Sequence, residues 1–237
     1  WRIQRHAVFG YFRLVDPEGR RQARGSYETC LDALEKAKRD CHLDPLPAHV
    51  VLVLHGHGAT PQYMQAMVDY LAARSGLHVE NIGYASTIED IATFAKSLDN
   101  VIRHLNGVQE IDFVAHSMGC IVIRRYLGDL KRRAPNFRPQ INFSRLVMIS
   151  PPNHGAEVAD VVSDLLAEHD VVKKTAEFLA GPAAKELAPR GGWPELEKSL
   201  VVPDFEFAVI AGGRGGDRGY LPNVPGDDDG LLSVESM

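Results

Sequence analysis

Ser117 stands in Ala115-His116-Ser117-Met118-Gly119, directly after the β-prone run 111–115 and before an apolar-periodic stretch that begins at Met118. A serine hydroxyl is a weak nucleophile unless the backbone pushes it out of the chain and a base stands beside it. A sharp strand-to-helix turn with small residues two before and two after the serine does the first of these. The spacing alone arises by composition in roughly one chain in six of this length, so its context carries the weight. Upstream, the run Val50 to Leu54 ends in His55-Gly56-His57-Gly58-Ala59-Thr60. Glycines there let the chain turn tightly and expose N–H groups that can stabilise a developing oxyanion; an ordinary glycine turn is the alternative. Downstream stands Gly226-Asp227-Asp228-Asp229-Gly230. A carboxylate placed after the nucleophile in chain order can steer a histidine and stabilise its imidazolium. An acidic surface loop is the alternative.

The elements that must hold these groups alternate. Continuous apolar or β-branched runs predict strands at 50–54, 78–84, 111–115 and 144–149. Helical periodicity predicts helices at 62–74, 88–105 and 118–133. Such alternation implies an α/β fold, a mostly parallel sheet with helices on both faces. Its ligand site is expected at the carboxyl ends of the strands, where all the chemical residues above fall. Before it, a β-prone run over 3–15, turn residues at Asp16-Pro17-Glu18-Gly19 and a returning strand at 22–27 predict an antiparallel edge hairpin, followed by a helix at 28–41. The chain is thus read as one domain over 1–237, with the hairpin and helix in 1–47 and the catalytic core in 48–237. Within 157–200, Val158, Val161, Val162, Leu165 and Leu166 recur at helical spacing before the strand at 205–210. They predict inserted helices that act as a lid with an apolar wall, or an ordinary crossover packed on the sheet.

Taken together, His55-Gly56-His57-Gly58, Ala115-His116-Ser117-Met118-Gly119, Ser150-Pro151-Pro152-Asn153-His154-Gly155 and Asp229-Gly230-Leu231-Leu232 resemble the α/β-hydrolase fold, in particular bacterial triacylglycerol lipases and esterases. The resemblance covers roughly residues 48 to 237. It implies Ser117 as nucleophile and Asp229 as acid, with Asp227 and Asp228 as alternatives that lack the following glycine. It implies the backbone N–H groups of His57 and Met118 as the oxyanion hole. Carboxylic-ester hydrolysis is the implied activity; a thioesterase, amidase or acyltransferase on the same scaffold is the alternative. The family places its histidine after the acid, and here Asp229 is followed only by Gly-Leu-Leu-Ser-Val-Glu-Ser-Met. The histidine is therefore expected beyond Met237, in a chain truncated there. Otherwise the base comes from elsewhere, with His154 as the internal candidate or a structural, lid-anchoring residue, or the chain is a non-catalytic hydrolase-like binding module.

Composition sets further bounds. Hydrophobic residues make up 45% and charged residues 24% of 237, ordinary globular usage. The formal net charge of −5 does not favour nucleic acid. No apolar stretch approaches the roughly 18 residues of a membrane span, so the expected partner is a small ester or lipid, with transient contact at a lipid interface. Three cysteines, Cys30, Cys41 and Cys120, do not make a disulfide framework. They point to the cytoplasm, while a chain that begins at Trp1 leaves secretion open. No histidine pair has a third partner at zinc-ligand spacing. Calcium at Asp227 or Asp228 has no support, and Gly212 to Gly216 lacks the Gly-Lys-Ser/Thr of a phosphate loop. No cofactor is expected.

Overall fold

Valine and leucine at every position from 50 to 54 leave that strand no polar face, and it is buried on both. In the computed structural model, which describes residues 1–133, 141–159, 181–221, 224 and 226–237, this run is β4 (His49–Leu54). Val50, Leu52 and Leu54 enter one hydrophobic cluster, and Val51 and Val53 enter a second on the opposite face. Parallel neighbours extend the sheet: β5 (His78–Ile82), β6 (Glu110–His116), β7 (Asn142–Ile149) and β8 (Glu206–Ile210), in the order β5-β4-β6-β7-β8. The 3₁₀ turn Pro61–Met64 and α2 (Gln65–Ser75) supply Met64 and Val68 to the smaller cluster. Helices α3 (Ile91–Arg103) and α4 (Met118–Arg133) pack together over the larger one. Asp90 caps α3 by accepting from the Thr93 N–H at 2.7 Å, an N-cap contact of about 1 kcal/mol.

The chain divides into two compact units, Trp1–Pro45 and Leu46–Met237. The first is antiparallel, as expected, but it has three strands: β1 (Arg2–Arg5), β2 (Phe12–Val15) and β3 (Arg21–Gly25). They form a sheet of their own rather than an edge of the parallel sheet. The run 3–15 breaks because Gly10 takes φ +70°, and the chain doubles back there. Helix α1 (Tyr27–Asp40), capped by Ser26, completes this unit, with Leu14 and Cys30 fully buried.

Of the expected inserted segment 157–200, residues 160–180 lie outside the described residues. Its described flanks belong to the core. Ala183, Leu187 and Trp193 are buried, and Trp193 begins the short helix α5 (Trp193–Glu197). No helix among the described residues is long and apolar enough to cross a membrane.

Candidate active site

Parallel strands bring the carboxyl ends of β4, β6, β7 and β8 to one rim. Ser117 lies between the last residue of β6 and the first of α4, with φ +53°. A left-handed serine costs of order 1–2 kcal/mol, and the surrounding hydrogen bonds hold it there. Its N–H donates to the Ile149 carbonyl at 2.9 Å, and its carbonyl accepts from the Cys120 N–H at 3.0 Å. Close packing explains the small neighbours. Ala115 is fully buried, and a Cβ on Gly119 would stand 2.8 Å from the His55 carbonyl oxygen.

The loop after β4 passes directly over the serine. A Cβ on Gly56 would meet Ser117 Cβ at 2.9 Å and His116 Nδ1 at 3.0 Å. Gly58 adopts φ +66°, which turns the chain back. Tyr84 fastens this loop: its ring stacks on His55 at 4.3 Å between centroids, and its hydroxyl donates to the His55 carbonyl. No motif in the sequence points to Tyr84. As the first residue of α4, Met118 has an N–H with no acceptor inside the helix, and its side chain is fully buried. His57 and Met118 thus belong to the two segments that meet at Ser117.

Burial lowers the pKa of His55, His57 and His116. The carboxylate of Asp229 acts on His116 in the opposite direction, and His55 adds to the lowering. These three imidazoles are therefore neutral at neutral pH, and the Nδ1 atoms of His57 and His116 are buried without a hydrogen-bond partner among the described residues.

The rim steps outward from Ser117 to the three aspartates. Ser150, with φ +44°, donates its N–H to Ile210 of β8 at 2.8 Å. Beyond β8, a Cβ on Gly212 would stand 3.0 Å from Asp229 Cβ and 3.5 Å from Ser150 Oγ. The three aspartates differ in what they hold. Asp227 accepts from the N–H groups of Arg214, Gly215 and Asp228; these bonds, Arg214 first, lower its pKa. Asp228 is fully buried. Burial would raise its pKa, but the Leu221 and Gly230 N–H groups outweigh this and lower it. Asp229 uses Oδ1 for the Leu231 and Leu232 N–H groups, each at 3.0 Å. Its Oδ2 accepts no hydrogen bond among the described residues.

His154 is exposed on the loop after β7. Its N–H donates to the Ser236 carbonyl at 3.1 Å, and the side chain of the adjacent Asn153 links Arg124 to the Met237 carbonyl. Among the described residues, no imidazole hydrogen-bonds either the Ser117 hydroxyl or the Asp229 carboxylate. At the opposite, amino edge of the sheet lies a grouping that the sequence did not reveal. His49 Nε2 is 3.0 Å from Asp112 Oδ2, with Glu110 and Arg145 alongside. His49 Cα pairs with Glu110 across β4 and β6, and Asp112 follows two residues later on the same face. Arg145, which also reaches Glu206, extends this grouping of polar side chains across four strands.

Comparison with known proteins agrees with this architecture. Residues 50–231 match the model of the alpha/beta hydrolase family. No curated protein matches the sequence. Among solved structures, the mature form of the Bacillus licheniformis lipase BlEst2 aligns with a TM-score of 0.54 at 17% identity, over 82% of this chain and 80% of that one. Its propeptide form aligns at 0.51 and 16% identity, over 81% of this chain and 45% of that one. Phospholipase PlaB from Legionella pneumophila aligns at 0.48 and 18% identity, over 69% of this chain and 38% of that one. With more than half its length matched by the family model and a parallel sheet that carries Ser117 at its strand-to-helix turn, the chain belongs to the alpha/beta hydrolase family.

Proposed function

We propose that this hydrolase is a serine carboxylic-ester hydrolase of lipase or esterase type, acting through an acyl-enzyme on Ser117. The observation that carries the reading is the left-handed Ser117, held at the rim beneath the Gly56–Gly58 loop. In this reading Oγ attacks the ester carbonyl carbon as an imidazole takes its proton. The carbonyl electrons move onto oxygen, and the N–H groups of His57 and Met118 stabilise that charge. Collapse expels the alcohol, which receives the proton from the imidazolium. Water then attacks the acyl-enzyme by the same route and frees the acid. Asp229, with Oδ2 uncommitted, steers the imidazole.

The missing contact between any described imidazole and Ser117 favours one second reading, a hydrolase-like module that binds but does not turn over. Labelling by a fluorophosphonate, with Ser117→Ala as control, separates the two. Labelling of the parent and not of Ser117→Ala is expected, together with hydrolysis of a panel of p-nitrophenyl esters. Equal labelling of both proteins would remove Ser117 as nucleophile. Labelling of neither protein, with no turnover of any ester, thioester or amide, would favour the binding module.

A further inference from the structure

The N-terminal sheet carries a charge opposite to that of the rest of the chain. Residues 1–25 hold six arginines against two carboxylates, a balance of +4 in a chain whose balance is −5. The remaining 212 residues hold twenty cations against twenty-nine carboxylates. Such asymmetry within one chain marks a surface for a polyanion or an anionic membrane.

The end of the β1–β2 hairpin decides between them. Val8 and Phe9 form the turn, 68% and 74% exposed, and they are the two most exposed large apolar side chains among the described residues. The turn is built rather than loose. His6 Nδ1 accepts from the N–H groups of both Val8 and Phe9 at 3.3 Å, and the His6 ring packs on Phe9 and Tyr11. Gly10, in the left-handed region, returns its N–H to the His6 carbonyl. Behind the tip, Arg13 and Arg24 face each other across β2 and β3, and Arg5 ends β1. Arg13 donates to Gln4 Oε1, and Arg24 lies 4.0 Å over the Tyr11 ring. Both of these partners are uncharged, so both cations keep their full charge. The hairpin's two carboxylates, Asp16 and Glu18, engage Arg20 at the other turn.

We propose that this hairpin docks the protein on an anionic lipid bilayer, with Val8 and Phe9 inserted at the acyl boundary and Arg5, Arg13 and Arg24 against the phosphate headgroups. An apolar tip gains by leaving water only where something apolar receives it. A nucleic acid would use the cations but leave Val8 without a partner, whereas a bilayer interface satisfies both parts. The proposal does not depend on the ester-hydrolase reading.

The test is co-sedimentation of the full chain with vesicles. Binding is expected to phosphatidylglycerol/phosphatidylcholine vesicles and not to phosphatidylcholine alone, with release by high salt. Val8→Ser with Phe9→Ser should weaken it about tenfold or more. Replacing Arg5, Arg13 and Arg24 by Gln should weaken it on the order of a hundredfold, while Phe9→Leu binds as the parent. Phe9→Trp should show a blue-shifted emission on anionic vesicles that the parent lacks, which tests the tip even if the triple variant fails to fold. No sedimentation with anionic vesicles, equal binding by the tip variant, or retention only on DNA or RNA would overturn the proposal.

Discussion

Gly56 and Ser117 approach so closely that a methyl group on the glycine would stand 2.9 Å from the serine Cβ. The Gly56–Gly58 loop and the turn at Ser117 are therefore packed as one object, and neither can shift alone. Gly56→Ala is expected to cost about 1–3 kcal/mol of stability and to lower kcat roughly a hundredfold or more by moving the loop. Chemical denaturation and ester kinetics on one preparation check both. An alanine variant with parental kcat would show that the loop relaxes freely.

The three consecutive aspartates offer a sharper test. Asp229→Asn should reduce kcat by about 10³ to 10⁴ with little loss of stability, because its Oδ1 contacts survive in the amide and only the steering charge is lost. Asp228→Asn should do the reverse. Its buried carboxylate accepts the Gly230 N–H on Oδ1 and the Leu221 N–H on both oxygens, and an amide would turn an NH2 donor toward the Leu221 N–H. A lower melting temperature with kcat per folded molecule within about threefold is expected. Exchanged phenotypes would move the acid to position 228.

Burial depresses the pKa of His55, His57 and His116, so the sign of the pH effect follows. The unfolded chain takes up protons near the ordinary imidazole value of 6.5, while the folded chain resists them to lower pH. Stability from these three groups is complete above that value and is lost as pH falls below it, by at most about 1.4 kcal/mol per pH unit for each imidazole. Urea midpoints should fall from pH 7.5 to 5.5, and His116→Asn should flatten the fall. A midpoint that rises on acidification would contradict the burial of these rings.

His154 provides a fourth case. Its loop is held by backbone bonds and by Asn153, and its ring meets neither Ser117 nor Asp229. His154→Ala is therefore expected to keep kcat within about threefold, whereas loss of a general base costs about 10³ or more. A loss of that size, with the fold intact by circular dichroism, would make His154 the base.

The local pattern alone was enough to outline the parallel sheet and α4. Strands buried on both faces must be continuously apolar, as Val50 to Leu54 are, and α4 runs over the 118–133 read from periodicity. The turn at Ser117 was legible for the same reason: small residues at 115 and 119 signal a close approach whatever lies opposite. Helix ends were less legible, since α3 begins at Ile91 rather than 88, where Asp90 caps it and Glu186, distant in sequence, accepts the Ile91 N–H. The following glycine set Asp229 apart in the sequence, but only the tertiary structure decided what each of the three aspartates holds. They are chemically identical along the chain, and what separates them is which backbone donors from residues 214–221 and 230–232 reach each carboxylate. It also decided that β1 to β3 form a sheet of their own, that Tyr84 clamps His55, and that His49 meets Asp112. Tyr84 lies 29 residues from His55 and Asp112 lies 63 from His49, and no local periodicity encodes a contact at such separations.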